Sequence, residues 1–127
     1  MMIINPYMLP KVRSESLRQA CQHMPCTLRI SSFIPGFRCS GDDTVVGCHI
    51  DKAIGKGTGT KVSDLFMAAG CLHCHDLIDR RNIPGWAYIV EKYPAAVMER
   101  LLKGLAETQS RWVQMGLITG EDWEIVG

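Results

Sequence analysis

The longest regular pattern in the chain lies in its C-terminal third, where mostly apolar side chains recur every three or four positions. These positions are Val97, Leu101, Leu105, Thr108, Trp112 and Met115. The spacing places them on one face of an α-helix, and Pro94 and Gly116 are suitable residues for its start and its end. We therefore predict a long C-terminal helix over residues 94–116. Its apolar face is predicted to pack in the core, while a groove for a partner helix or a homodimer face is the alternative.

The N-terminal half shows shorter patterns. Residues 14–22 predict a short helix with Ser14 as its N-cap. Residues 27–31 and 44–50 alternate or are rich in β-branched side chains, which predicts two short strands. Residues 1–13, which contain Pro6 and Pro10, are predicted to be a loose N-terminal arm.

The middle of the chain is less regular. Residues 65–70 form a brief apolar run that fits either a strand or a helical turn. Residues 74–81 have helical character, and the sequence Asn82-Ile83-Pro84-Gly85 is predicted to end that helix. Strands followed by helices in a chain of 127 residues predict one domain, spanning residues 1–127, of the α+β class.

Composition narrows the class of protein. No apolar run approaches the length of a membrane span, and the first residues lack the features of a signal peptide, so the chain is predicted to be cytoplasmic. Its net charge of +1 does not by itself indicate a nucleic-acid partner. The chain has six cysteines, and clustered cysteines in a reducing compartment are more often metal ligands than disulfides.

Cys71 and Cys74 form a Cys-x2-Cys pair, whose spacing lets two thiolates reach one ion from a turn that leads into a helix. A structural zinc site takes four tetrahedral N or S ligands, so two more are needed. The candidates are the four cysteines of the N-terminal half, namely Cys21, Cys26, Cys39 and Cys48. Buried free thiols are the alternative interpretation of all six.

Cys26 and Cys39 flank the first predicted strand and its turn. A hairpin there would bring them together over the start of the helix that contains Cys74, which is the treble-clef arrangement. Cys21 could replace Cys26, because the two form a possible knuckle of their own. Cys48 is predicted to face the core.

Histidines and carboxylates near the cysteine pair suggest a second site. His75 and Asp79 are four residues apart and share one face of a helix, with Asp76 beside it. A strand that presents His49 towards this face could complete a site for a hard divalent ion. Histidine also suits a general base, because its pKa lies near neutrality.

The chain resembles HNH nucleases, and more closely the small YbcO-like nuclease family of lambdoid phages and prophages. The general pattern consists of His49-Ile50, a glycine-containing loop, an apolar run opened by Asp64, and the string from Cys71 to His75. The most specific parts are Cys74-His75-Asp76-x2-Asp79-Arg80-Arg81 and the loop Gly57-Thr58-Gly59-Thr60-Lys61. The resemblance covers residues 17–118.

The resemblance implies a treble-clef, HNH-like ββα-metal fold that cleaves DNA. It assigns a structural zinc to four cysteines, which are Cys26, Cys39, Cys71 and Cys74. It assigns His49 as general base, Asp64 as the residue that orients the base, and His75 as a ligand of a catalytic Mg²⁺ or Mn²⁺. Cys48 stands where many members have a metal-binding Asp, so Asp76 or Asp79 is the candidate second ligand.

Basic residues border both predicted sites. Arg80 and Arg81 follow the metal-binding string, and Lys52, Lys56 and Lys61 border the glycine loop. We interpret them as contacts to the DNA backbone, although a solvated helix end and loop would look the same. The leading hypothesis is a metal-dependent DNA endonuclease. The alternatives are a catalytically silent zinc-finger module that binds DNA or a phage recombination or packaging protein, and a hydrolase with catalytic zinc.

Overall fold

The computed structural model describes residues 11–50 and 63–127. Within these ranges the protein has a small mixed α/β fold with four α-helices and a two-stranded sheet. The helices are α1 (Glu15–Cys21), α2 (Leu72–Ile78), α3 (Ile83–Lys92) and α4 (Pro94–Gln114), and the strands are β1 (Val46–His49) and β2 (Met67–Gly70). Short 3₁₀ turns cover Ser31–Phe33, Asp42–Thr44 and Asp64–Phe66. None of the helices in these ranges combines the length and the apolar character that crossing a membrane requires.

Two predicted helices are confirmed together with their local signals. The Ser14 hydroxyl accepts a hydrogen bond from the backbone N–H of Leu17 at 3.2 Å and caps α1. Helix α4 has Pro94 in its first turn and ends before Gly116, whose φ of 75° is the left-handed conformation that glycine adopts readily.

Helix α3 was not predicted from the sequence. Helix α2 ends at Ile78, earlier than predicted, and Arg80 after it has a φ of 58°. The sequence from Asn82 to Gly85, which was expected to end a helix, begins the next one. The Asn82 side chain accepts a hydrogen bond from the backbone N–H of Gly85 at 3.0 Å, and Pro84 lies in the first turn. Asn at an N-cap followed by Pro is a helix-start signal, which explains why this tetrapeptide begins a helix.

The predicted strand over residues 27–31 and the hairpin built on it are wrong. Residues 28–30 belong to no regular element, and Ser31–Phe33 is a 3₁₀ turn. Arg29 has a φ of 50°, which lies in the left-handed region and is incompatible with a continuous strand. The alternating apolar side chains Leu28 and Ile30 are both buried, but as parts of an irregular loop.

The sheet pairs β1 with β2 in antiparallel register, from Val46 opposite Gly70 to His49 opposite Met67. The other edge of β2 is covered by two threonines. The Thr27 hydroxyl donates to the carbonyl of Ala69 at 2.8 Å, and the Ala69 N–H donates to the Thr108 hydroxyl at 3.0 Å. Backbone groups that an edge strand would leave unpaired are thus satisfied inside the protein.

Helix α4 packs across β2 through the predicted stripe. The buried side of the helix consists of Val97, Leu101, Gly104, Thr108 and Trp112. Leu105 is half-buried, whereas Met115 at the end of the helix is 43% exposed. The prediction of core packing is therefore confirmed over most of the stripe, since the chain's own sheet covers that face.

Replacing Gly70 with alanine is expected to destabilise the protein by about 1–3 kcal/mol. A Cβ there would lie 2.6 Å from Cδ1 of Leu28 and 2.9 Å from Sγ of Cys48, and both side chains are fully buried. The measurement is the free energy of unfolding in urea. The double variant with Leu28→Ala should lose less stability than the two single changes added together, because it makes room for the new methyl group. Purely additive losses would contradict the clash.

Candidate metal centre and active site

Four cysteine side chains from three separate segments converge at one point. Cys71 is the N-cap residue of α2 and Cys74 lies in its first turn, while Cys26 and Cys39 come from the loops on either side of the Ser31–Phe33 turn. All four Sγ atoms lie within 4.8 Å of one another. Among residues 11–50 and 63–127, this is the one group of three or more such side chains with a spacing suitable for a metal ion.

The spacing of the sulfur atoms fits a tetrahedral zinc site. Sγ of Cys39 lies 3.8 Å from Sγ of Cys26 and 3.8 Å from Sγ of Cys74. A tetrahedron with Zn–S bonds of about 2.3 Å has edges of about 3.8 Å. The four thiols could therefore hold a metal ion such as zinc.

Hydrogen-bond donors surround the sulfur atoms. The Ser31 hydroxyl donates to Sγ of Cys39 at 3.5 Å and accepts from Sγ of Cys74 at 3.4 Å, and the backbone N–H of Arg29 donates to Sγ of Cys26 at 3.4 Å. The hydrogen bond from Cys74 lowers the pKa of Cys26 despite its burial, and the same contact with burial raises the pKa of Cys74. The cluster thus favours a thiolate at Cys26 even before a metal binds.

The other two cysteines lie outside the cluster. Cys48 is fully buried in the core, as predicted, and burial raises its pKa far above the usual range. Cys21 is also fully buried, and burial raises its pKa to about 11 although the side chain of Trp112 contacts it. Cys21 therefore does not replace Cys26 in the four-thiol cluster.

His49 and Asp64 form a hydrogen-bonded pair at the opposite end of the sheet from Cys71. His49 is the last residue of β1, and Asp64 opens the 3₁₀ turn that leads into β2. His49 Nε2 lies 2.9 Å from Asp64 Oδ1. The side chain of His49 is 25% exposed and that of Asp64 is 5% exposed, so solvent reaches the imidazole but hardly the carboxylate.

The second oxygen of Asp64 is held from the N-terminal side of the chain. Oδ2 accepts hydrogen bonds from the backbone N–H of Ser14 at 2.7 Å and from Nη1 of Arg18 at 2.5 Å. Val12, at the end of the predicted loose arm, accepts from the backbone N–H of Asp64 at 2.8 Å. Burial alone would raise the pKa of Asp64, but the hydrogen bonds from Ser14, His49 and Arg18 together lower it. Asp64 is therefore a carboxylate at neutral pH.

This contact selects one tautomer of a neutral His49. An ionised carboxylate only accepts hydrogen bonds, so Nε2 carries the proton that is donated to Oδ1. Nδ1 then keeps its lone pair and can accept a proton from another molecule. A buried carboxylate that fixes the tautomer and orientation of a histidine is the arrangement of a general base.

The three predicted ligands of a catalytic ion lie together on α2 and at its end. His75 Nε2 is 3.0 Å from Asp79 Oδ2, as their spacing of four residues predicts. Arg81 forms ion pairs with both carboxylates, with its Nε 2.8 Å from Asp76 and its Nη2 3.6 Å from Asp79. Arg81 thus links Asp76 to the pair of His75 and Asp79, but among the described residues these three do not form a group with the spacing of a metal site.

Of the five predicted DNA-binding residues, Arg80 and Arg81 are among those that the structure describes. Arg80 has a φ of 58° at the end of α2, and its guanidinium lies 5.5 Å from the ring centre of Trp86. Arg81 is half-exposed beside its two carboxylates. Lys52, Lys56 and Lys61 lie outside the residues that the structure describes.

Arg18 was missed in the sequence analysis. It lies 46 positions before Asp64 and belongs to no motif, so no local signal connects the two. The capped helix around it was predictable, but the packing of α1 against β1 was not.

Fold and site together define a small mixed α/β domain with a four-cysteine cluster that could hold a metal ion and a separate histidine–carboxylate pair. The chain belongs to the family described as "Putative nuclease YbcO", which matches residues 15–117. It is 39% identical over 103 residues to "Putative nuclease YbcO" of Escherichia coli (strain K12), covering 80% of this chain and 95% of that protein. The same figures hold for "Putative nuclease ybcO" of Enterobacteria phage 82. No solved structure gives a significant match.

Proposed function

We propose that this protein is a metal-dependent DNA endonuclease that hydrolyses phosphodiester bonds at an HNH-like site and contains a structural zinc. The names of the two relatives support a nuclease-type enzyme. The observation that carries the proposal is the His49–Asp64 pair, placed at the end of a β-β-α unit whose helix begins at the thiol cluster. We take the whole chain, residues 1–127, as one nuclease domain.

His49 is the general base in this proposal. Hydrolysis needs a group that removes a proton from the attacking water, and a positioned base contributes about 10²–10⁴-fold in rate. Nδ1 of His49 takes that proton, and the partly exposed ring gives water access. Asp64 accepts from Nε2 and stabilises the imidazolium that forms.

His75 and the carboxylates of Asp76 or Asp79 would hold the catalytic ion. An imidazole with carboxylate oxygens is a suitable donor set for Mg²⁺ or, better, Mn²⁺. Such an ion neutralises charge on the phosphate during hydrolysis. Binding requires the carboxylates to exchange their contacts with Arg81, and the released guanidinium can then contact the DNA backbone.

Zinc has a structural role in this proposal. With Cys26, Cys39, Cys71 and Cys74 all bound, a tetrahedral ion has no open position for water. Catalytic zinc would need such a position. A bacterial cytoplasm, where phage and host nucleases meet DNA, keeps these thiols reduced and suits both metals.

Arg80, Lys52, Lys56 and Lys61 complete the proposed nucleic-acid interface. Contacts to phosphates from arginine and lysine position DNA but carry no sequence information. We therefore expect the backbone, rather than particular bases, to account for most of the affinity, with a strong dependence on salt.

The decisive experiment is plasmid cleavage by zinc-loaded protein with and without added Mg²⁺ or Mn²⁺. Wild type should nick supercoiled DNA only when the second ion is added. His49→Ala should lower the rate by about 10²-fold or more, whereas His23→Ala, which changes an exposed histidine on the loop after α1, should cut at the wild-type rate. Omitting the ion is better than adding a chelator, which would also remove zinc.

A protein that binds DNA but cuts no form of it under these conditions would overturn the enzyme proposal. That result would favour a silent zinc-finger module. Equal rates for wild type and His49→Ala would instead remove His49 from the mechanism.

A further inference from the structure

A groove of about 320 Å³ lies between α1 and β1, and one of its lining residues, Arg18, bonds Asp64 of the candidate active site. Its lining residues are Glu15, Arg18, Gln19, Gln22, Val46 and Gly47. Most of these side chains are polar and come from one face of α1, while the strand contributes the floor. The groove is therefore suited to a polar ligand rather than to an apolar one.

Arg18 connects this groove to the proposed base. Its Nη1 bonds one oxygen of Asp64, while His49 bonds the other oxygen of the same carboxylate. The Arg18 side chain is nevertheless 43% exposed. A guanidinium has five N–H donors in a planar fork, so one contact with Asp64 fixes its position and leaves other donors directed elsewhere.

We propose that Arg18 binds a phosphate of the DNA strand in this groove, next to the phosphate that is cut. The inference rests on the proposed nuclease function and adds a substrate contact that the sequence pattern did not indicate. A fork of N–H groups matches two phosphate oxygens. Because Asp64 holds both the guanidinium and the base, a phosphate on Arg18 places the adjoining backbone beside His49.

Glu15 is the opposing charge in the groove. Its Oε1 accepts a hydrogen bond from Nε2 of Gln19 at 3.0 Å, which keeps the carboxylate on the same face of α1. It repels a phosphate and limits the groove to one such group near Arg18. Removing this charge should therefore strengthen DNA binding, whereas removing the charge of Arg18 should weaken it.

The test measures binding of a short DNA duplex to zinc-loaded protein over a range of salt concentrations, with no Mg²⁺ or Mn²⁺ present. Arg18→Gln should weaken binding by about tenfold and reduce the slope of log affinity against log salt by about one. Arg18→Lys should restore the slope but only part of the affinity, since lysine has no fork. Glu15→Gln, which keeps the acceptor for Gln19, should tighten binding.

Lys103→Gln is the matched control, because it also removes an exposed cation paired with a carboxylate, here Glu99 at 2.7 Å. It should leave affinity and slope unchanged. Thermal unfolding of each variant checks the fold, and Asp64 keeps two partners when Arg18 is changed.

An unchanged salt slope for Arg18→Gln would overturn the inference, even with slower cleavage, because it would limit Arg18 to positioning Asp64. Absence of DNA binding by wild type would also overturn it. If the Arg18 variants show the expected loss of DNA binding but the wild-type protein never cuts DNA, the Arg18 contact stands and only the nuclease proposal fails.

Discussion

Replacing Cys74 with serine is expected to abolish stoichiometric zinc binding and to leave the chain largely unfolded. The four thiols come from three segments that are far apart in the sequence, so a bound ion would cross-link all three. Zinc binding to small domains is worth about 10–16 kcal/mol at neutral pH. This exceeds or equals the whole stability of an ordinary domain, about 5–15 kcal/mol.

The measurements are zinc per chain by elemental analysis and helix content by circular dichroism. Cys48→Ala is the matched control, because Cys48 is equally buried but lies outside the cluster. It should keep one zinc per chain and be destabilised only by the small cavity that the change leaves. Cys21→Ala should likewise keep its zinc, which tests the sequence-based alternative directly. Wild-type protein that is free of zinc and unaffected by a chelator would contradict this prediction.

Replacing Asp64 with alanine is expected to lower DNA cleavage by on the order of 10²–10⁴-fold. The change removes the acceptor that fixes the tautomer of His49. It also leaves the N–H of Ser14 and the guanidinium of Arg18 without their carboxylate, and because both residues are partly exposed, water can replace part of what each loses. Cleavage rates must therefore be compared at a temperature where the variant is folded.

Asparagine at position 64 separates these two effects. Its carbonyl oxygen can still accept from His49, but its NH₂ group would face two donors, from Ser14 and Arg18. Asp64→Asn should therefore keep more activity than Asp64→Ala while remaining destabilised. Both the cleavage rate and the free energy of unfolding are measured for each variant. If the two variants lose activity only in proportion to their loss of stability, Asp64 acts on the fold alone.

The sequence predicted the parts of this structure that depend on local chemistry. Ser14 as a cap, Pro94 and Gly116 as helix limits, and Cys71 with Cys74 as a metal half-site all act within a few residues. The other half-site was proposed as Cys26 and Cys39 from a predicted hairpin, with Cys21 as the alternative to Cys26, and the family resemblance assigned it to Cys26 and Cys39. Thirteen positions of irregular chain separate these two thiols, so their spacing alone did not decide the choice.

The failures share a cause in long-range packing. Residues 27–31 look like a strand because alternate side chains are apolar, yet Thr27 bonds β2 and Arg29 adopts a left-handed conformation beside the thiol cluster. Neither this hydrogen bond nor this backbone conformation can be predicted from a local sequence pattern. Arg18 was missed for the same reason, since its partner Asp64 is brought near only when α1 packs on β1.

The two-stranded sheet also separates charges. Cys71 follows Met67 by four residues along β2, and Met67 pairs with His49, which puts about 13 Å between the two ends. A zinc ion on four thiolates carries a net charge of −2, which would repel a DNA backbone. The separation exceeds the Debye length of about 8 Å at physiological salt. The length of β2 would therefore keep an anionic zinc–thiolate cluster more than one Debye length from His49, the proposed base, whereas His75, one residue after Cys74, would stay close to it.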